Sequence, residues 1–317
     1  MHQIVVLGGG AAGMAAALAA AQSAPAGAVR VTVLDRNPRC GKKLLATGNG
    51  RCNLDNTGIA PECYFTSDQA ALAPLLNAVN TADPLEWFTA LGLYTRTDET
   101  GRVYPYSNQA ADVLALLEGQ MTRLGVEVRT GCTVNTLSQN RSGYTILFDS
   151  PERSNETLRA DAVICAMGGN AGPQFGTDGF GTRFAAQCGG KLEPLYPCLT
   201  ALQVAKPNKS LAGIRAKARA SLLDLDRHTV LAAETGEVQF TDYGLSGICI
   251  MDLTRHLTPA VKNPAVELDL FPDIAEDALS ALFAARVPLL PGDTAADFWL
   301  GLLNAKLELS RSEERFS

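Results

Sequence analysis

Four apolar residues, Ile4-Val5-Val6-Leu7, run directly into Gly8-Gly9-Gly10-Ala11-Ala12-Gly13, and an alanine-rich stretch follows to about Gln22. A short apolar run suits a strand in the middle of a parallel sheet, and the alanines suit a helix. A Pro/Gly turn then leads to a second strand, Val29 to Leu34, which ends on Asp35. The order is β-α-β. Gly8-x-Gly10-x-x-Gly13 alone is a weak signal in a chain with 29 glycines. Its setting strengthens it, because a strand precedes it, a helix follows it, and an acidic residue stands about 20 positions beyond the last glycine. Gly8 permits the tight turn, Gly10 lets the backbone approach a pyrophosphate, and Gly13 lets helix and strand pack closely. The helix start offers unpaired N–H groups and positive potential to phosphates. Asp35 can accept hydrogen bonds from a ribose, and Arg36 leaves a 2′-phosphate chemically open. An ordinary glycine-rich turn is the competing reading.

The next segment runs from Cys40 to Asn53 and combines Lys42, Lys43 and Arg51 with Gly41, Gly48 and Gly50 and no acidic residue. Glycines that expose backbone beside fixed cations suit a second contact surface for a diphosphate and the ring system beyond it. A solvated basic loop is the plainer alternative.

Composition limits the rest. The 317 residues carry 27 basic and 33 acidic side chains, a net charge of −6, which argues against a dedicated nucleic-acid binder. Apolar residues at 46 % are enough for a core. Eight scattered cysteines with no C-x-x-C fit reduced thiols and a cytoplasmic protein. His2, His228 and His256 lie too far apart to suggest a metal site. Gln22, Ser23 and Pro25 break the alanine stretch, so neither a signal peptide nor a membrane span is expected.

Further along, Asp83-Pro84 opens a helix that stops at Gly92. Ser107 is expected to cap another helix, with Ala111, Leu114, Leu117 and Met121 on its apolar face and Gly125 closing it. Strands follow at Val126 to Arg129, Thr133 to Leu137 and Tyr144 to Phe148. Another, Ala162 to Met167, enters Gly168-Gly169. From about Lys191 the chain becomes β-rich, with alternation over Ile214 to Leu225 and a turn expected at Gly236 before Val238 to Phe240. From Ile274 the pattern is helical (Leu279, Leu282, Phe283), and Pro288 to Gly292 breaks it before a last helix from about Thr294.

Five blocks together resemble the HI0933-like flavoprotein family, also labelled aminoacetone oxidase or BaiN-like: GGGAAGMAAA at 8–17, KKLLATGNGRCN at 42–53, YPYSNQAADV at 104–113, VICAMGGNAGPQFGTDGFG at 163–181 and GEVQFTDYGLSG at 236–247. They stand in the family's order and cover nearly the whole chain. The resemblance implies an α/β fold, with a Rossmann-type, glutathione-reductase-like FAD-binding domain over 1–190 that includes a β-meander. A β-barrel-like insertion would occupy 191–272 and a short helical part 273–317. It implies that Gly8, Gly10, Ala12 and Gly13 hold the pyrophosphate and Asp35 the ribose, while Lys43, Arg51, Cys52 and Asn53 lie along the flavin. The strand backbone at Val134 would meet the adenine, and the Met167-Gly168 turn would close over the cofactor. The family's common His in the last block is replaced, since Thr241-Asp242-Tyr243 stands there. The family's C-terminal return segment is not matched by the charged end from Leu307 to Ser317, so an incomplete cofactor site and weakened flavin binding are expected.

Other chemistries are weaker. Cys40 and Cys52 are too far apart in sequence for a ready two-thiol switch. Arg215, Lys217 and Arg219 alternate with alanines and, with Lys206 and Lys209, could receive an anionic substrate or RNA, although a solvated strand face explains them as well. No second G-x-G-x-x-G follows a later strand, so NADH or NADPH would act as a diffusible reductant. Two functions are carried forward. The first is an FAD-dependent oxidoreductase for a small organic substrate entering between the first domain and the insertion. The second is a non-catalytic or degraded flavin- or nucleotide-binding protein.

Overall fold

In the computed structural model, which describes residues 1–307 apart from 26, 67, 82, 293 and 305, the β-α-β opening is strand β1 (His2–Leu7), helix α1 (Ala11–Gln22) and strand β2 (Val29–Asp35). The chain continues through β3 (Asp55–Asn56), α2 (Gln69–Thr81), α3 (Pro84–Ala90), β4 (Thr95–Thr97), β5 (Arg102–Pro105) and α4 (Ala110–Arg123). It then forms β6 (Glu127–Thr130), a meander of β7 (Thr133–Asn140), β8 (Gly143–Asp149) and β9 (Glu156–Ala160), and β10 (Ala162–Cys165) before α5 (Phe180–Gln187). These elements belong to a compact unit, Met1–Leu192; the second unit is Glu193–Ser317.

The strands β10, β1, β2 and β6 lie in that order in one parallel sheet. Successive side chains of a strand point to opposite faces, so both faces of a central strand must be covered. Val6, Val31 and Val33 pack with Met14, Ala17 and Leu18 of α1 and Val113, Leu117 and Met121 of α4. Val5, Leu7 and Leu34 face the other way, against Leu137, Ile146 and Phe148 of the meander. The carboxyl ends of β1 and β2 are thereby left open to the loops that follow them, the usual place for a ligand in such a sheet.

Helix α4 corrects two details. Gln109, not Ser107, is its N-cap residue, and Ala111 is exposed while Ala110 and Val113 are buried. Shifting the start rotates the buried stripe, and Leu114, Leu117 and Met121 satisfy either choice. Helix α2 was not foreseen, since Pro74 lies within it.

The second unit holds β11 (Leu202–Gln203), β12 (Arg215–Asp224), β13 (Thr229–Phe240), β14 (Gly244–Ser246), α6 (Ile248–Leu253) and β15 (Pro264–Asp269). Its antiparallel sheet has the order β11-β14-β13-β12-β15. Gly236 lies inside β13 rather than in a turn. A Cβ there would come 3.1 Å from that of Cys249, so the glycine lets α6 approach the sheet. Helices α7 (Glu276–Arg286) and α8 (Ala295–Trp299) follow. Phe271, Phe283, Phe298 and Trp299 form an aromatic cluster with ring centroids from 4.8 to 6.3 Å apart. The charged stretch 308–317 lies outside the described residues. Among the described residues, no helix is long and apolar enough to cross a membrane.

Candidate functional site

Three glycines at the β1–α1 turn have three different reasons to be glycine. Gly8 has φ +100°, and a Cβ on it would lie 2.6 Å from the Ala166 carbonyl oxygen. A Cβ on Gly13 would lie 1.8 Å from the Gly8 carbonyl oxygen, so helix and strand can approach this closely only without one. Gly10 differs: its φ is −75°, allowed to any residue, and, its chain neighbours aside, a Cβ would meet no atom of the described residues within 4 Å. It lines a cleft. The absence of a side chain there keeps space open rather than relieving a clash. Gly10 gives α1 no side-chain cap, the first turn carries no acidic residue, and the helical ladder begins with Met14 N–H donating to the Gly10 carbonyl (2.9 Å). The N–H groups of Ala11 and Ala12 therefore have no acceptor within the helix, at the positive end of its dipole.

Asp35, at the end of β2, is only 7 % exposed. Its Oδ2 accepts from the Gly9 N–H (2.6 Å), and its Oδ1 accepts from the backbone N–H (2.7 Å) and the side-chain amide (3.0 Å) of Asn37. A carboxylate has about four acceptor positions. Three are filled, leaving one on Oδ2 for a further donor from the cleft.

The glycine-rich loop 168–179 is strapped to this region. Gly168, Gly172, Gly176 and Gly179 all have positive φ. Arg36 pairs with Asp178 (3.0 Å) and donates to the Gly176 carbonyl (3.3 Å). Asn37 donates to the Phe175 carbonyl (3.1 Å), Lys42 to that of Gln174 (2.8 Å) and Lys43 to that of Ala171 (2.8 Å). The buried Thr177 hydroxyl bridges the carbonyl oxygens of Met167 (3.0 Å) and Gly169. Every basic side chain named in this strap is thus held by the strap itself.

The segment from Cys40 to Asn53 wraps tightly in 3₁₀ turns, with Gly48, Asn49, Gly50 and Cys52 at positive φ. The Gly41 N–H donates to the Gly9 carbonyl (2.8 Å), docking the segment on the first turn. Burial, reinforced by the charges of Asp35 and Glu118, pushes the Cys40 thiol up to about 12. Burial also raises Cys52, against the lowering effect of a hydrogen bond with Thr47. Both remain thiols at neutral pH, which removes the nucleophile a redox pair needs. With its amide turned so that the nitrogen faces them, Asn53 donates to the carbonyls of Asp55 (2.8 Å) and Val103 (3.2 Å).

The cleft encloses about 470 Å³, within the size range of small-molecule sites, and its lining residues belong to the first unit. It brings together Gly8, Gly10, Ala12, Asp35, Arg36, Lys43, Cys52, Asn53, Val134 and Gly168. Gly13 is buried behind the turn. Arg51 stands apart from the lining: its guanidinium lies 4.3 Å from the centre of the Tyr104 ring and donates to the Tyr104 hydroxyl (3.2 Å). Val134 adjoins a bulge in the β7–β8 ladder, a distortion common beside ligand sites. Sequence reasoning passed over Asn37, Phe175, Thr177 and the apolar wall of Trp87, Phe88, Val113 and Leu117. The one signal for Asn37 was its place two residues beyond the acidic end of β2, a distance at which an Asn side chain reaches back to its neighbours.

Two of the five basic residues of the stripe in the second unit are paired. Arg215 pairs with Glu237 (2.9 Å) and Lys217 with Asp273 (2.7 Å).

Among known protein families, the one described as "HI0933-like protein Rossmann domain" matches residues 2–265. A 3-dehydro-bile acid delta(4,6)-reductase of Clostridium scindens is 37 % identical over 325 residues, covering 100 % of this chain and 77 % of that protein. A ribosomal RNA dihydrouridine synthase of Escherichia coli is 24 % identical over 279 residues, covering 85 % of this chain and 64 % of that protein. Among solved structures, Thermovibrio ammonificans THI4 is 16 % identical with a TM-score of 0.39, over 60 % of this chain and 64 % of that one.

Proposed function

Because the chain belongs to the HI0933-like family of flavin-dependent oxidoreductases, we propose that its cleft holds FAD and serves to saturate a carbon–carbon double bond beside a carbonyl in a small organic substrate. The observation that carries the cofactor reading is Gly10. It needs no glycine for the protein's own packing, yet it keeps the space before two unpaired N–H groups open. The residues fit the group. Ala11 and Ala12 would meet the pyrophosphate with backbone N–H groups at the positive end of α1. Asp35 would accept one ribose hydroxyl at its free position. Arg36 is engaged by Asp178, which disfavours a 2′-phosphate. Cys132 and Val134 would border the adenine, and Thr47, Cys52 and Asn53 the ring end.

When bound, FAD supplies hydride transfer, which side chains cannot perform. The chain contributes orientation and a dry wall of Trp87, Phe88, Val113 and Leu117. The reaction class is supported by the names of the relatives: a delta(4,6)-reductase of a 3-dehydro compound and a dihydrouridine synthase both describe hydrogen added across a ring double bond near a carbonyl. The small apolar substrate is favoured over RNA by the higher identity and the net charge of −6. NADH or NADPH is the proposed diffusible reductant.

The test is anaerobic spectroscopy of the FAD-reconstituted protein. NADH or NADPH should bleach the visible flavin band, and a 3-oxo-4-ene steroid should restore it while gaining two hydrogens by mass. A bleached band that no conjugated ketone restores contradicts the reaction class. Protein that takes up no flavin supports the non-catalytic reading.

A further inference from the structure

A carboxylate at a strand end ordinarily rotates, because its last torsion is broad and two-fold. That of Asp35 is fixed by the Gly9 N–H on one oxygen and by two donors from Asn37 on the other. The Asn37 amide also donates to the Phe175 carbonyl (3.1 Å), so one side chain touches both the carboxylate and the strap. The backbone carbonyl of residue 37 accepts from the Gly131 N–H (2.8 Å), a bond that holds this segment to the turn after β6 whatever side chain stands there. The strap is shaped to receive the Asn37 side chain. Gly176 has φ +88°, and a Cβ there would come 2.6 Å from the Asn37 Oδ1.

We infer that Asn37 is a positioning residue for the dinucleotide: it orients Asp35 so that the last acceptor position of Oδ2 serves the ribose, and it couples that orientation to the docking of strap 168–179. This rests on the FAD reading above. Asn37 acts through Asp35 and the Phe175 carbonyl.

FAD affinity, read by quenching of flavin fluorescence, tests this with four variants: Asn37→Ala, Asn37→Asp, Asp35→Ala and the Asp35→Ala/Asn37→Ala double variant. Asn37→Ala keeps the backbone donor to Asp35 and should weaken FAD binding about tenfold, as expected for the one side-chain hydrogen bond to a charged group that it removes. Asn37→Asp keeps the shape but replaces the donor with a second carboxylate, so it should bind FAD more weakly than Asn37→Ala. In the Asp35→Ala background, Asn37→Ala should lose most of its effect, because its target is gone. A residue that only fills space would give the opposite pattern, with Asn37→Asp close to wild type. Wild-type affinity in Asn37→Asp, or an undiminished effect of Asn37→Ala in the Asp35→Ala background, overturns the inference. Should Asn37→Asp fail to fold, as judged by its thermal melt, the Asn37→Ala cycle decides alone. Wild-type protein that binds no FAD refutes the cofactor reading itself, and this inference with it.

Discussion

Cys40 is buried against Gly9 with two acidic groups near enough to oppose its ionisation. Its folded pKa, about 12, lies above the ordinary 9.0. The folded state therefore holds this proton more tightly than the unfolded chain. The stability linked to it is complete below pH 9 and is lost as pH rises toward 12. The melting temperature of the wild type should thus fall more steeply above pH 9 than that of Cys40→Ala; parallel slopes would count against the burial. The Asn37 side chain, by contrast, reaches a partner 138 positions away, the Phe175 carbonyl, and that contact exists only once the chain has folded.

At the scale of elements, the β1–α1 turn separates folding from binding. Gly13→Ala would place a methyl group 1.8 Å from the Gly8 carbonyl oxygen, where α1 has no room to yield without leaving β1. It should destabilise the protein by about 3 kcal/mol or more. Gly10→Ala, its chain neighbours aside, meets no atom of the described residues within 4 Å and has an ordinary φ, so its thermal melt should match or slightly exceed that of the wild type. Its FAD affinity should nevertheless fall about tenfold, because the methyl group occupies the approach to the pyrophosphate. Equal FAD affinity in Gly10→Ala would mean that the open space serves no ligand. The β-α-β unit was readable from sequence because local periodicity and the glycines agree there. Elsewhere local signals misled. Ser107 looked like a cap, but the helix starts after Gln109. Gly236 looked like a turn, but it makes room for α6 from within a strand. The strap lies within the block at 163–181 that carries the family resemblance, but its fastening was not readable, since Lys42 and Lys43 donate to backbone carbonyls with no sequence signature and Arg36 reaches Asp178 only through the fold.

At the scale of the whole molecule, charge and architecture point the same way. The chain carries a net charge of −6, and Arg215 and Lys217 of β12 are paired with Glu237 and Asp273. The first unit contains, within its own residues, the glycine turn, the acidic strand end and the strap. The reading of this cleft as a dinucleotide site for FAD is tested by titrating the purified 317-residue chain with FAD, followed by fluorescence quenching and by the visible spectrum of the desalted protein. The expected result is saturation at one FAD per chain, with a retained yellow colour. A protein whose fluorescence titration shows no saturable uptake, and which leaves the desalting column colourless, would contradict it.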